Sequence, residues 1–167
     1  YALILYNGDG IEVDKKEAAK YYKLAADKGF TDAMHNYALM LKNGDGIEVD
    51  KKEAAKYYKL AADKGYTNSM YNYALMLKKG DGIEIDKKEA AKYYKMAADN
   101  GYTNAMYNYA LMLKNGDGIE VDKKEAAKYY KMAVDKGDED AMNNLGNMLK
   151  NGDGIEVDKK EALRLFK

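Results

Sequence analysis

Gly8, Gly44, Gly80, Gly116 and Gly152 stand 36 residues apart, and each opens the same segment, Gly-Asp-Gly-Ile-Glu. No other feature of the chain limits its fold as strongly. A unit of this size is one supersecondary element, too small to bury its own apolar face, so it is stable only when stacked on copies of itself. The 167 residues divide into a partial repeat over 1–29, repeats over 30–65, 66–101 and 102–137, and a truncated repeat over 138–167. Together these predict a single solenoid.

Within a repeat the pattern predicts two helices. The second opens at Asp50 with Glu53 three residues on, a capping-box arrangement, and runs over about 51–64 to a left-handed stop at Gly65. At 100° per residue, Ala54, Ala55, Tyr58, Ala61 and Ala62 share one side, and Lys52, Lys56, Lys59 and Asp63 the other. The first helix runs from near Thr31 to near Lys42, gathering Ala33, Met34, Tyr37, Met40 and Leu41 on the side that meets its partner. Between them Asn43-Gly44-Asp45-Gly46 supplies glycines where the backbone needs a positive φ. The chain has no proline, so neither helix carries a proline kink or stop.

These residues resemble a known family. Ala33, Tyr37-Ala38, Leu41, Gly44-x-Gly46-Ile47, Asp50, Ala54, Tyr57-Tyr58, Ala61-Ala62 and Gly65 follow the Sel-1-like repeat of the tetratricopeptide-like superfamily, and the match recurs in every unit. The departures are mild: the family often has Leu-Gly, as at Leu145-Gly146, where Tyr37-Ala38 stand, and an aromatic where Leu41 stands. The resemblance implies an all-α, right-handed superhelix of helix-turn-helix repeats with the first helix of each lining the concave side. It also implies an adaptor or scaffold for protein complexes.

Composition narrows the partners. Basic and acidic residues number 28 each, so the net field that draws nucleic acid or anionic membranes is absent. No run of 18 apolar residues or signal-like opening appears. The absence of cysteine excludes disulfides and thiolate sites and fits a reducing compartment, so the expected location is the cytoplasm. The sequence starts inside a repeat, and a leader removed from it would leave no trace.

Chemistry is sought among residues that break the repeat, because catalysis needs a distinct nucleophile, base and orienting group. His35, the only histidine, aligns with Tyr71, Tyr107 and Asn143 and reads as a variable surface position. Ser69, the only serine, aligns with Ala33, Ala105 and Ala141 in a slot for small buried side chains, so a Ser–His pair is not expected. Asp45, Glu48, Asp50 and Glu53 crowd one loop, but Ile47 and Glu48 stand where a calcium loop needs an acidic residue and a glycine. Gly44-Asp45-Gly46 lacks both the third glycine of a dinucleotide fingerprint and the Gly-Lys-Ser/Thr ending of a P-loop. The sequence therefore predicts no enzyme, no metal, no cofactor and no small-molecule substrate. A hydrolase, as once proposed for cysteine-rich bacterial relatives, would require a unit whose polar residues depart from the repeat.

The expected function is binding of a peptide or protein domain on the concave face formed by the first helices. Its candidate residues are His35, Asn36 and Leu39; Tyr71, Asn72 and Leu75; Tyr107, Asn108 and Leu111; and Asn143 and Asn144. Tyrosines there could grip an apolar segment while asparagine amides clasp its backbone. The structural alternative packs Tyr71 and Leu75 against the neighbouring repeat and has Asn72 tie repeats together. Lys52, Lys56 and Lys59 read as a solvated convex face. A purely architectural segment of a longer array is the other alternative.

Overall fold

The computed structural model describes residues 1–10 and 12–166, which form ten helices and no strand. The chain divides into two compact units, Tyr1–Ile85 and Asp86–Lys167. The first holds α1 (Ala2–Asn7), α2 (Lys15–Asp27), α3 (Thr31–Asn43), α4 (Lys51–Asp63) and α5 (Thr67–Lys79). The second holds α6 (Lys87–Asp99), α7 (Thr103–Asn115), α8 (Lys123–Val134), α9 (Glu139–Asn151) and α10 (Lys159–Leu165). Within each unit every helix packs on the next in sequence. Odd-numbered helices of the first unit and of the second are the first helices of their repeats, here called helix A; the even-numbered ones are helix B.

Small side chains bring the two helices of a repeat together. Ala54, Ala55, Ala61 and Ala62 of α4 are at most 2% exposed, and Tyr58 is 0% exposed among them. Facing them, α3 buries Ala33, Met34, Tyr37, Ala38, Met40 and Leu41. Tyr57, absent from the face counted on the sequence, is buried as well. In α9 a glycine, Gly146, stands in place of Ala38, Ala74 and Ala110, and the ring of Phe166 occupies the space a Cβ would need.

Local chemistry sets the helix ends. Asp50 Oδ1 accepts from the Glu53 backbone N–H at 2.9 Å. The reciprocal half of the expected capping box does not form: the Asp50 N–H donates back to the Leu41 carbonyl at 2.9 Å, closing the turn, while Glu53 pairs with Lys56 at 3.2 Å. Gly44 ends α3 in the left-handed region (φ 75°) and donates to the Met40 carbonyl at 2.8 Å.

The second glycine of the turn has a different task. Gly46 also has a positive φ, 74°, and an added Cβ would fall 2.6 Å from the backbone of Lys15, in the first turn of the preceding helix B. Gly82 stands against Lys51, Gly118 against Lys87 and Gly154 against Lys123 in the same way. The aspartate between the two glycines completes this seam: Lys15 Nζ reaches Asp45 at 2.9 Å, Lys51 reaches Asp81 at 2.6 Å and Lys87 reaches Asp117 at 2.6 Å. Lys15, and after it the Tyr6 hydroxyl, hold the Asp45 carboxyl below its usual range by hydrogen bonding.

A second polar link crosses the seam lower down. Tyr57 Oη donates to Asp27 Oδ1 at 2.7 Å and Tyr129 Oη to Asp99 Oδ1 at 2.6 Å. Burial first, and the aspartate second, push the Tyr57 hydroxyl up to about 12. Tyr57 and Tyr129 also stand edge-on to Tyr37 and Tyr109, at 5.0 and 4.8 Å.

Two substitutions test this account. Gly10 has the φ of Gly46 but nothing within 4 Å of an added Cβ, so Gly10→Ala should cost about 1 kcal/mol for the backbone alone. Gly46→Ala should cost roughly 2 kcal/mol or more, read as a larger drop in the denaturant midpoint. Equal losses would mean that the close approach to Lys15 carries no energy. The hydroxyls of Tyr58 and Tyr130 are buried, and no described protein group lies within hydrogen-bonding reach of them. Tyr58→Phe and Tyr130→Phe should therefore leave thermal stability unchanged or raise it by up to about 1 kcal/mol.

Candidate functional site

The candidate residues stand on helix A, outside the face that it buries. His35, Asn36, Leu39, Tyr71, Asn72, Leu75, Tyr107, Asn108, Leu111 and Asn144 are half-buried, and Asn143 is exposed. In the first unit, Leu3, Tyr6, Tyr22, Asn36 and Leu39 line a cleft of about 90 Å³ between α1 and α3.

The asparagines are oriented by their own helices. Nδ2 of Asn72 donates to the Asn68 carbonyl at 2.9 Å, that of Asn108 to Asn104 at 2.8 Å and that of Asn144 to Asp140 at 2.9 Å. These bonds run one turn back along the same helix and do not tie repeats together, which corrects the structural alternative in part. Asn144 does reach across a seam, accepting from Lys114 Nζ at 3.4 Å.

His35 departs from the sequence reading. The position varies between repeats, but His35 is half-buried and packed at the seam, and burial pushes its pKa down against the opposing pull of Asp32. Its ring lies 5.4 Å from that of Tyr58 on α4 and 5.0 Å from that of Tyr66, the N-cap of α5. Nδ1 is 2.9 Å from Ser69 Oγ, so the Ser–His pair that the repeat pattern argued against exists. The signal that could have found it is the spacing. The chain's only histidine and only serine stand 34 residues apart, where the other repeats place Tyr71 with Ala105 and Tyr107 with Ala141. Ser69 fills the slot for small side chains as expected and is 0% exposed, so no substrate reaches its hydroxyl. The pair is a seam contact.

The helix-B surface is charge-balanced. Lys56 pairs with Glu53 at 3.2 Å and Lys59 with Asp63 at 3.0 Å, and Lys95 pairs with Asp99 at 2.7 Å one repeat on. No group of three or more metal-ligating side chains occurs among the described residues. No described helix is long and apolar enough to cross a membrane.

The seam histidine gives a pH signature. A folded-state pKa below the ordinary 6.5 means that the unfolded chain binds the extra proton more readily, so stability is lost as pH falls through that value. The groups facing His35 are Asp32 on its own helix, Tyr58 from α4, and Tyr66 and Ser69 from the α5 side. The melting temperature should fall between about pH 7 and pH 5, and His35→Tyr, the residue of the next two repeats, should remove that dependence. An unchanged slope in the variant would exclude His35 as its source.

The Sel1 repeat profile matches residues 1–30, 31–66, 67–102, 103–138 and 139–167. Among solved structures, a protective antigen of uropathogenic Escherichia coli with an SLR fold is 31% identical, with a TM-score of 0.94 over 99% of this chain. A Sel1 repeat protein of Oxalobacter formigenes is 30% identical, with a TM-score of 0.93 over 99% of this chain. Cysteine-rich protein B of Helicobacter pylori shares the fold at 23% identity, with a TM-score of 0.60 over 77% of this chain and 92% of its own. The chain spans 35% of the length of the Escherichia coli protein and 68% of that from Oxalobacter. The search of curated proteins gives no match.

Proposed function

Because this chain belongs to the Sel1 repeat family, whose members are generally protein-interaction scaffolds, we propose that it holds a peptide or protein segment on the helix-A side of its repeats. One observation carries this reading. Leu39, Leu75 and Leu111 recur at one position per repeat, half-buried, each three residues after an asparagine whose surroundings are the helix-A surface. In Asn72 and Asn108 the amide is already oriented by a bond to its own helix. Apolar side chains beside oriented amides suit an extended segment, which offers side chains and backbone groups in alternation.

The helix-B side offers less. Its exposed side chains are mainly lysines paired with carboxylates three or four residues away, and such surface pairs contribute little to binding energy. The hydrolase alternative loses its nucleophile, since Ser69 Oγ is enclosed.

The leucines test the site more cleanly than the tyrosines, because Tyr107 packs on Tyr130 at 5.8 Å and its truncation would disturb the fold. A Leu39→Ala, Leu75→Ala, Leu111→Ala variant, shown folded by circular dichroism, should lose a bound partner by about ten-fold or more in affinity. Lys52→Ala, Lys88→Ala on helix B should retain it. Retention by the leucine variant would remove the helix-A surface from consideration.

A further inference from the structure

The ion-paired lysines of this chain all lie on helix B, where Lys52 and Lys88 enter no ion pair among the described residues. Every ion pair found among the described residues takes its cation from helix B: Lys15, Lys51, Lys87 and Lys123 cross the seams, and the others pair along their own helix. Helix A carries one lysine at the same place in each of four repeats, Lys42, Lys78, Lys114 and Lys150. None of them enters an ion pair among the described residues. Each stands three residues after the leucine position, and so on the same side of the helix. A lysine in the last turn suits the helix dipole, but the dipole does not account for the missing acids. Neither α5 nor α7 contains an aspartate or glutamate.

The aspartates of the neighbouring turns are already engaged. Asp81, in the turn after α5, is held by Lys51 at 2.6 Å. In the first repeat a tyrosine, Tyr6, takes the lysine's place at the edge of the cleft beside Leu39, and its hydroxyl donates to Asp45 at 3.1 Å. One repeat on, that place holds Lys42.

We propose, building on the helix-A reading above, that the segment bound by the first unit is an acidic peptide. Its carboxylates meet Lys42 and Lys78, and an apolar side chain between them lies against Leu39 or Leu75. Charge complementarity identifies this occupant: Asp32, the one carboxylate of α3, is hydrogen-bonded to Tyr66, so cations are in excess beside the leucines and favour an anionic partner. The leucines between the lysines select side chains over a phosphate backbone, which has no apolar group to place there.

Fluorescence anisotropy on the intact chain tests this with three labelled peptides of one length. One is rich in glutamate with spaced leucines; the others replace every glutamate by glutamine or by lysine. The glutamate peptide should bind, and the glutamine peptide should bind about ten-fold more weakly. Affinity for the glutamate peptide should fall by about ten-fold in a Lys42→Gln, Lys78→Gln variant and decline with added salt, while Lys52→Gln, Lys88→Gln leaves it unchanged. Equal binding of the glutamate and glutamine peptides, both weakened by Leu39→Ala, Leu75→Ala, would overturn the acidic preference and leave the helix-A reading standing. Binding of no peptide would overturn both. Tighter binding of a single-stranded oligonucleotide, lost in the lysine variant, would replace the peptide by nucleic acid.

Discussion

The approach of the turn's second glycine, from Gly46 onward, to the first turn of the preceding helix B sets the spacing of everything else. Gly46 lies so near the Lys15 backbone that a single methyl group would force the two apart. This nearness places Asp45 within reach of Lys15 Nζ. The link from Tyr57 to Asp27 then fixes a second point between the same two B helices. A seam held at one point could pivot; two separated attachments define both distance and angle. The helix-A surface inherits its geometry from them, because within each unit helix A is bound to helix B by the alanine and methionine core.

Much of this was legible in the sequence. The period announced paired helices, aspartates and glycines marked their ends, and alanines marked the face where they meet. The paired tyrosines such as Tyr57-Tyr58 read from the sequence as core and inter-repeat contacts, and Tyr57 is buried between Tyr37 of its own repeat and Asp27 of the one before. What escaped detection was finer. The capping box formed by half because the Asp50 N–H had a more distant acceptor in Leu41.

His35 and Ser69 show the same limit more sharply. Variation at a repeated position was read as exposure, a sound inference when each position varies alone. Here two positions changed together across a seam, tyrosine with alanine giving way to histidine with serine, and the hydrogen bond between them explains the match. The candidate leucines and asparagines were placed on one side of helix A by periodicity, and they stand there. Their partial burial, the orientation of the amides and the lack of ion pairs at the neighbouring lysines emerged only from the coordinates.

The ladder of seam contacts has a kinetic consequence. Lys15 with Asp45, Tyr57 with Asp27 and Tyr129 with Asp99 all join residues 30 positions apart, and no pairing between distant parts of the sequence is required within either unit. Contact order is therefore low, and the loop-closure entropy that slows many folds stays small. Such a chain gains stability through nearest-neighbour coupling, as a one-dimensional lattice does. Weakening one seam then lowers cooperativity across that junction first, and the repeats on either side can melt as separate blocks.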